Sequence, residues 1–326
     1  MKVSYESFAG IDTALKNLDV KVLPANLVKR FTNNASGHRE LVEFLKLHKV
    51  DLIVIEATGG YEHPAVIAMV HAGLRVHVAQ PQVIRSFARS HALRAKNDLL
   101  DANVCALYAM ERCEQLRIKD RIDPTHETLK SLINRRQELV EAHSAEMNRA
   151  QQTADKLTAA SINRSLKSLK KEIEIVEEQI DQKIQEDKAL AAKSKTIQEN
   201  YGIGPQVARI ILALLPELGT VDTKRLNALV GVAPYDAQSG EKQGTRHIAG
   251  GRALLRNGLY MACMTATNHD PFMKTYYQER IANGKPHKSV MMACIRKMLA
   301  YLDKQIRALV QPPGLPSNQP STALNV

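Results

Sequence analysis

The sequence lacks the marks of secreted, membrane-spanning and zinc-stabilised proteins. Its four cysteines, Cys105, Cys113, Cys263 and Cys294, form no CxxC pair and have no histidine companions at zinc-ligand spacing. Neither a zinc module nor a disulfide framework is indicated, and buried thiols in a reducing cytoplasm are expected. No stretch approaches the roughly 18 uninterrupted apolar residues of a membrane span. Met1-Lys2-Val3-Ser4-Tyr5-Glu6 carries no apolar core behind its charge, so neither secretion nor membrane insertion is expected. Acidic residues are also in deficit: 34 Asp and Glu against 45 Lys and Arg leave a formal charge of +11. That excess favours a polyanionic partner, because Lys and Arg release counterions from phosphate backbones. Over 326 residues with 44% hydrophobic content, two domains are the natural division.

What is present changes pattern along the chain. Phe8 to Ile11, Leu18 to Leu23 and Leu27 to Phe31 are short β-like runs, and the turn-prone Thr13 to Asn17 suits a hairpin between the first two. In the loop Asn33 to Gly37, Ser36 is the expected cap of a helix over Glu40 to Leu47. Asp51 to Ile55 is the clearest strand, and its continuous apolar character suits burial on both faces. Ala57-Thr58-Gly59-Gly60-Tyr61 follows, then an amphipathic helix through Val66, Ile67 and Val70 that stops at Gly73, then a strand at Leu74 to Val78. The order is three strands, helix, strand, helix, strand, helix. It matches an RNase H-like sheet rather than a Rossmann fold, because the first three strands are joined by connections too short for helical crossovers.

From Thr128 to Asp187 the chain turns polar and helical. Ile162, Leu166, Leu169, Ile173, Val176, Ile180 and Ile184 recur at three- and four-residue steps, the seam of a coiled coil. Leu129, Leu132, Ile133, Leu139 and Val140 supply an antiparallel partner, joined near Thr153 to Ser161. Periodicity does not separate a projecting arm from a helical pair packed on the body. Further on, Tyr201-Gly202-Ile203-Gly204-Pro205 precedes Val207, Ala208, Ile210, Ile211 and Leu214, the pattern of a helix-hairpin-helix. Gly202 and Gly204 would let such a turn pass close to a phosphate, although a plain interhelical turn fits the same residues. The proline-rich tail from Gln311 is expected to be disordered.

Four acids stand at positions that suit metal-assisted chemistry. Asp12 follows the first strand and Glu56 ends the strand after Asp51, so neighbouring strands would bring both to one edge. Asp98 and Asp101 are three apart in Lys96-Asn97-Asp98-Leu99-Leu100-Asp101-Ala102, on one face of the helix that continues through Val104 and Leu107. Converging carboxylates repel unless divalent cations neutralise them, and hard oxygen ligands suit Mg²⁺ or Mn²⁺. Two such ions roughly 3.5–4 Å apart activate a nucleophile and stabilise a leaving oxygen in phosphodiester chemistry. Taken singly, Asp12 would open a turn and Asp98 would favour a helix dipole. Glu56 is harder to explain without a partner, because it ends a buried apolar strand.

The C-terminal region offers a different group. After the apolar run Leu226 to Val232, the segment Tyr235 to Gly251 is polar and glycine-rich, a flexible basic loop with Ser239 beside Gly240. Lys242, Arg246, His247, Arg252 and Arg256 follow, then Lys274, Arg280, Lys285, Lys288, Arg296 and Lys297. These cations either track phosphates or solvate helices. Few aromatics interleave with them, so base stacking on a single strand is not indicated.

Together these residues resemble the DEDD transposases of bacterial insertion sequences, the bridge-RNA-guided serine-assisted recombinases that include Piv-type DNA invertases. The resemblance runs from Gly10-Ile11-Asp12 to about Leu299, through Glu56-Ala57-Thr58-Gly59-Gly60-Tyr61, Asp98-Leu99-Leu100-Asp101-Ala102, Gly202-Ile203-Gly204, and Pro234 through Ser239-Gly240 to Leu254-Leu255-Arg256. It implies an α/β plus α architecture. An RNase H-like domain resembling Holliday-junction resolvases would span residues 1–122, a helical coiled-coil arm 123–190, a mainly helical transposase domain 191–310 and a disordered tail 311–326. It implies that Asp12, Glu56, Asp98 and Asp101 bind metal and that Ser239 is a nucleophile. Gly202, Gly204, Lys242, Arg246, Arg252 and Arg256 become candidate nucleic-acid contacts. The implied partners are donor and target DNA, a structured guide RNA, and further copies of the chain as a dimer assembling to a tetramer. Glu241 and Lys242 depart from the family, in which small or hydroxyl residues frequently follow the Ser-Gly pair. A DNA invertase of the same chemistry, a junction-resolving nuclease using only the four carboxylates, and a non-catalytic nucleic-acid-binding protein are the alternatives.

Overall fold

The computed structural model describes residues 5–92, 98–119, 122–235, 238–239, 242–243 and 247–310. These fall into two compact units, residues 1–123 and 124–326. In the first, strands β1 (Phe8–Thr13), β2 (Asn17–Leu23), β3 (Leu27–Thr32), β4 (Leu52–Glu56) and β5 (Val76–Ala79) form one mixed sheet in the order β3-β2-β1-β4-β5. Helices α1 (Ala35–Leu47), α2 (His63–His71), α3 (Pro81–Ser90) and α4 (Asp98–Arg112) accompany it. β1 runs antiparallel to β2 and parallel to β4. This is the RNase H-like strand arrangement expected from the connection lengths. Three local details differ from expectation, the first being that β1 runs on to Thr13, so Asp12 lies inside the strand, paired with Asp19, instead of after it. Asn34, in extended conformation, caps α1 by accepting from the Gly37 amide at 2.9 Å, so the helix starts at Ala35 and Ser36 lies inside its first turn. β5 starts at Val76 instead of Leu74, because the Leu74 amide closes the end of α2 on the Met69 carbonyl.

The two faces of the sheet follow the alternation of the strands. Ala9 and Ile11 enter a core with Leu41, Leu45, Val66 and Met69, on the side of α1 and α2. Phe8 and Leu52 and Val54 of β4 enter the opposite core with Val104, Cys105 and Ala109 of α4. Gly10 and Asp12 follow Phe8 at two-residue steps and Glu56 follows Val54, so both acids belong to the α4 face. α4 lies unusually close to that face. Its inner stripe, Ala102, Cys105, Ala106 and Ala109, is built of small residues, all buried. Opposite it stands Gly10, where a β-carbon would lie 2.0 Å from the Ala102 carbonyl oxygen and 2.2 Å from the Ala106 nitrogen. Glycine is required here by close approach rather than by backbone angle.

The second unit is helical, with α5 (Pro124–Gln152), α6 (Lys156–Glu186), α7 (Lys188–Gln198), α8 (Pro205–Leu214), α9 (Thr223–Val230), α10 (Ala253–His269), α11 (Pro271–Ala282) and α12 (His287–Val310). Along the periodic stripe of α6, Ile162, Val176, Ile180 and Ile184 are buried and Leu166, Leu169 and Ile173 are half-buried. The α5–α6 pair, for which periodicity left a projecting arm and a packed pair both open, shares a core with Ile197, Ile211, Leu259 and Ile295. An ionic link joins the same elements, since Glu177 of α6 meets Arg136 of α5 at 2.6 Å and Arg209 of α8 at 3.1 Å. Among the described residues no helix is long and apolar enough to cross a membrane. The tail from Gln311 lies outside them.

Candidate active site

β1 and β4 are hydrogen-bonded neighbours whose register sets Ile11 beside Ile55, so Asp12 and Glu56 leave the sheet side by side on the α4 face. The close seat of α4 over Gly10 brings Asp101, the residue before Ala102, to the same edge. A single thiol reports this convergence. Cys105, one turn after Asp101, is fully buried; burial pushes its pKa well up, and Glu56, Asp12 and Asp101 each push it further. Carboxylates of β1, β4 and α4 thus all lie within electrostatic reach of this thiol. Asp98 opens α4 as its first residue, and its side chain lies outside the described atoms. Among the described residues no three acid, histidine or cysteine side chains form a closed cation cage. The donor chemistry nonetheless fits a hard divalent ion, since every convergent group is a carboxylate and the one nearby sulfur is held as a neutral thiol.

Sequence reasoning overlooked two supports of this edge. Asp19 of β2 lies directly across from Asp12, buried, and Arg30 of β3 grips it through two bonds of 2.7 and 2.9 Å. The pair keeps a buried second carboxylate beside Asp12 neutralised. In sequence Asp19 alternates with Val20 and Lys21 like any solvent-facing residue, because the cover supplied by α4 comes from a distant part of the chain.

The second support is Asn33. Its amide nitrogen donates to the Ala14 carbonyl and to the Tyr61 carbonyl, both at 3.0 Å, and so ties together the loops that follow Asp12 and Glu56. Both donated bonds fix its oxygen as the acceptor from His38 Nε2 at 2.7 Å, which assigns the proton to that ring nitrogen. The loop after Glu56 is further closed by Glu62, whose carboxylate accepts from the amides of Thr58 at 2.9 Å and Gly60 at 3.0 Å. Asn33→Ala should leave a buried histidine donor and two carbonyls unmatched and lower stability by about 1–3 kcal/mol, read by denaturant melts of the full chain. Burial lowers the pKa of His38 below its ordinary 6.5. The unfolded chain thus takes up that proton first, and His38's contribution to stability is present above about pH 6.5 and lost as pH falls through the lowered value. An Asn33→Ala chain that melts like the parent would remove the clamp from the account.

In the second unit, the expected glycine-rich loop carries short strand pairs. β6 (Pro234–Tyr235) pairs antiparallel with β9 (His247–Ile248), and β7 (Gln238–Ser239) pairs with β8 (Lys242–Gln243), setting Ser239 opposite Lys242. The side chains of Ser239 and Lys242, and Arg246 altogether, lie outside the described residues. Two expected phosphate contacts are engaged within the fold. Arg252 donates to both carboxylate oxygens of Glu217 at 2.7 Å and to the Leu214 carbonyl, while Arg256 donates to the Gly250 carbonyl at 2.7 Å. Sequence gave no sign of this, because their acceptors are backbone carbonyls and one distant acid. Gly202 turns the chain between α7 and α8 with φ +81°, and a β-carbon there would meet the Ala262 carbonyl oxygen at 2.1 Å. Gly204 precedes α8 as its N-cap.

Two family models match stretches of the chain. A DEDD transposase family model of the IS110 type matches residues 9–158, and a model of the transposase IS116/IS110/IS902 family matches residues 194–278. The pilin gene-inverting proteins of Moraxella lacunata and Moraxella bovis are each 25% identical over 316 residues, covering 93% of this chain and 96% of the relative. A protein of the insertion element IS110 from Streptomyces coelicolor is 26% identical over 108 residues, 32% of this chain and 27% of its own. Among solved structures, Thermus RuvC in complex with a Holliday junction substrate (T. thermophilus) aligns with a TM-score of 0.30 and 14% identity, over 35% of this chain and 100% of that one. With both models matched in order, the chain belongs to the IS110-type transposase and DNA-invertase family, whose members cleave and transfer DNA strands.

Proposed function

We propose that this chain is an RNA-guided DNA transposase in which Asp12, Glu56, Asp98 and Asp101 hold Mg²⁺ or Mn²⁺ and Ser239 is the nucleophile. The observation that carries the reading is that Asp12 and Glu56 stand on neighbouring strands of one sheet face, with α4, which carries Asp101, seated against Gly10 of that face. Bound there, divalent ions would supply charge neutralisation for a phosphodiester under attack. The acids orient that charge, and the Asn33 clamp and the Asp19–Arg30 pair hold their edge. Ser239 Oγ attacks a DNA phosphorus, forming an O–P bond as the bond to a deoxyribose oxygen breaks. The serine proton passes to a base, and the departing sugar oxygen gains one. Attack by the hydroxyl of an exchanged strand reverses the step and restores the serine. One phosphoester is exchanged for another, so no energy source is required.

The near full-length similarity to the pilin gene-inverting proteins favours a second reading, site-specific inversion by the same chemistry. A plasmid carrying paired recombination sites separates the two, since inversion retains the segment and transposition moves it. In either case we propose that dimers assemble into a tetramer and that one site draws its acids and its serine from different copies. Mixing Ser239→Ala chains with Asp98→Asn chains tests this. Recovered cleavage, with a trapped covalent protein–DNA species, is the expected outcome. An inert but assembled mixture places the site within one chain, and recombination by Ser239→Ala alone removes the serine.

A further inference from the structure

The sequence gives little reason to look for base stacking, yet the helical unit gathers aromatics and cations that are far apart in the chain. Tyr201, in the turn between α7 and α8, Phe272 of α11 and Tyr301 of α12 line one cleft of about 600 Å³. Each ring is largely open to solvent, at 59%, 58% and 60% exposure, so none of them serves chiefly as core. Lys297 and Lys304 stand on the same walls, and the bonded amides of Asn200 and Gln305, 2.9 Å apart, add a polar patch. The planar groups continue outward: Tyr276 lies nearly parallel to Phe272, at 23° and 6.4 Å, and the Arg280 guanidinium covers Tyr276 at 3.6 Å. Lys297 Nζ is 5.4 Å from the Phe272 ring centre. Of the acids in the cleft, Asp270 is engaged in capping α11 by accepting from the Phe272 amide at 3.0 Å, and Glu199 stands at the end of α7. Gly202 has a part in this geometry, because only a residue without a β-carbon lets the Tyr201 turn lie against the Ala262 carbonyl.

We propose that this cleft binds unpaired nucleotides of a single-stranded nucleic acid, with bases stacked on Phe272, Tyr301 and Tyr201 and phosphates meeting Lys297 and Lys304. An apolar protein helix laid in the same cleft would cover two lysines without neutralising them, whereas a nucleotide supplies a flat ring for each exposed aromatic and an anion for each cation. The chain's charge of +11 favours the same ligand. The assignment stands apart from the acid site and from Ser239, and its failure would leave both untouched.

The test is fluorescence anisotropy of the full chain with short labelled oligomers of thymidine, of uridine, of abasic deoxyribose phosphate and of duplex DNA. Phe272→Ala and Tyr301→Ala should each weaken binding of a base-bearing single strand by about five- to a hundredfold, with duplex and abasic strands changed by less than about twofold. Phe272→Leu, which keeps apolar area but not a flat ring, should behave like the alanine variant. The uridine and thymidine arms tell whether RNA or DNA is the preferred source, and preference for either supports the site. Parent protein that binds abasic and base-bearing strands equally would overturn it, as would equal losses on single strands and duplex. So would variants that alter only the oligomeric state, which would assign the cleft to a second copy of the chain. Because the two substituted rings sit on different helices and are exposed, misfolding of one variant leaves the other to decide.

Discussion

Glu56→Gln and Asp101→Asn are each expected to reduce DNA strand cleavage by more than about a hundredfold. Losing even an outer partner of a metal ligand typically costs 10–100-fold, and these groups are proposed as ligands themselves. Both substitutions keep side-chain shape, so the loss should not come from unfolding. Addition of Mg²⁺ should separate the proteins, stabilising the parent by about 2.7 kcal/mol at a hundredfold excess over its dissociation constant and the variants by less. Asp51 provides the control. It lies just before the other end of β4, where its carboxylate accepts from the amides of Glu6 at 2.8 Å and Ser7 at 2.9 Å. Asp51→Asn should lower stability and leave metal-dependent cleavage intact. Cleavage within about threefold of the parent in both Glu56→Gln and Asp101→Asn, or cleavage that persists in excess chelator, would sink the metal assignment.

The candidate acids could be picked from the sequence because each is tied to a local pattern. Asp12 and Glu56 end runs of apolar residues, and Asp98 and Asp101 stand three apart in a segment whose helical periodicity is plain. The strand order was legible for a related reason: connections of a few residues permit only antiparallel neighbours, and the longer ones contain helices. What remained hidden depends on long-range cover. Asp19 alternates like a surface residue until α4 is laid over it, and Asn33 is a loop asparagine until the turns after Asp12 and Glu56 are both beside it. Arg252 and Arg256 carry the sign of a phosphate contact, but their acceptors, Glu217 and the Gly250 carbonyl, are found only in three dimensions. The aromatic cleft is the extreme case, since Tyr201, Phe272 and Tyr301 span a hundred residues of chain with no shared motif. Periodicity did reveal the seam of α6, although it could not tell that the helical pair packs into the same core as the helices after it.

Gly10 is the position where fold and site are most tightly joined, and Gly10→Ala should damage both. The added β-carbon would lie 2.0 Å from the Ala102 carbonyl oxygen, 2.2 Å from the Ala106 nitrogen and 2.8 Å from the Cys105 carbonyl carbon. All three are backbone atoms of α4, so no rotation of a side chain relieves the contact and the helix itself must lift. Overpacking of a close-packed core costs about 1–3 kcal/mol and more when backbone must move, so a loss of about 3 kcal/mol or greater is expected. For a unit of this size that lowers the melting temperature by on the order of 10 °C. The effect on chemistry should exceed the effect on stability. Lifting α4 withdraws Asp101 from Asp12 and Glu56, and a displacement of about 1 Å in a reacting constellation can cost a hundredfold in rate. Trimming the facing side chains offers a sharp control. Ala102→Gly and Ala106→Gly remove only methyl groups and leave the obstructing carbonyl and amide in place, so neither should rescue Gly10→Ala. Cleavage should therefore stay low even at temperatures well below the melting point of the variant, where the unit remains folded. Parent-like melting and cleavage in Gly10→Ala would mean that α4 does not press on β1 as described, and rescue by Ala102→Gly would mean that side chains, not backbone, set the spacing.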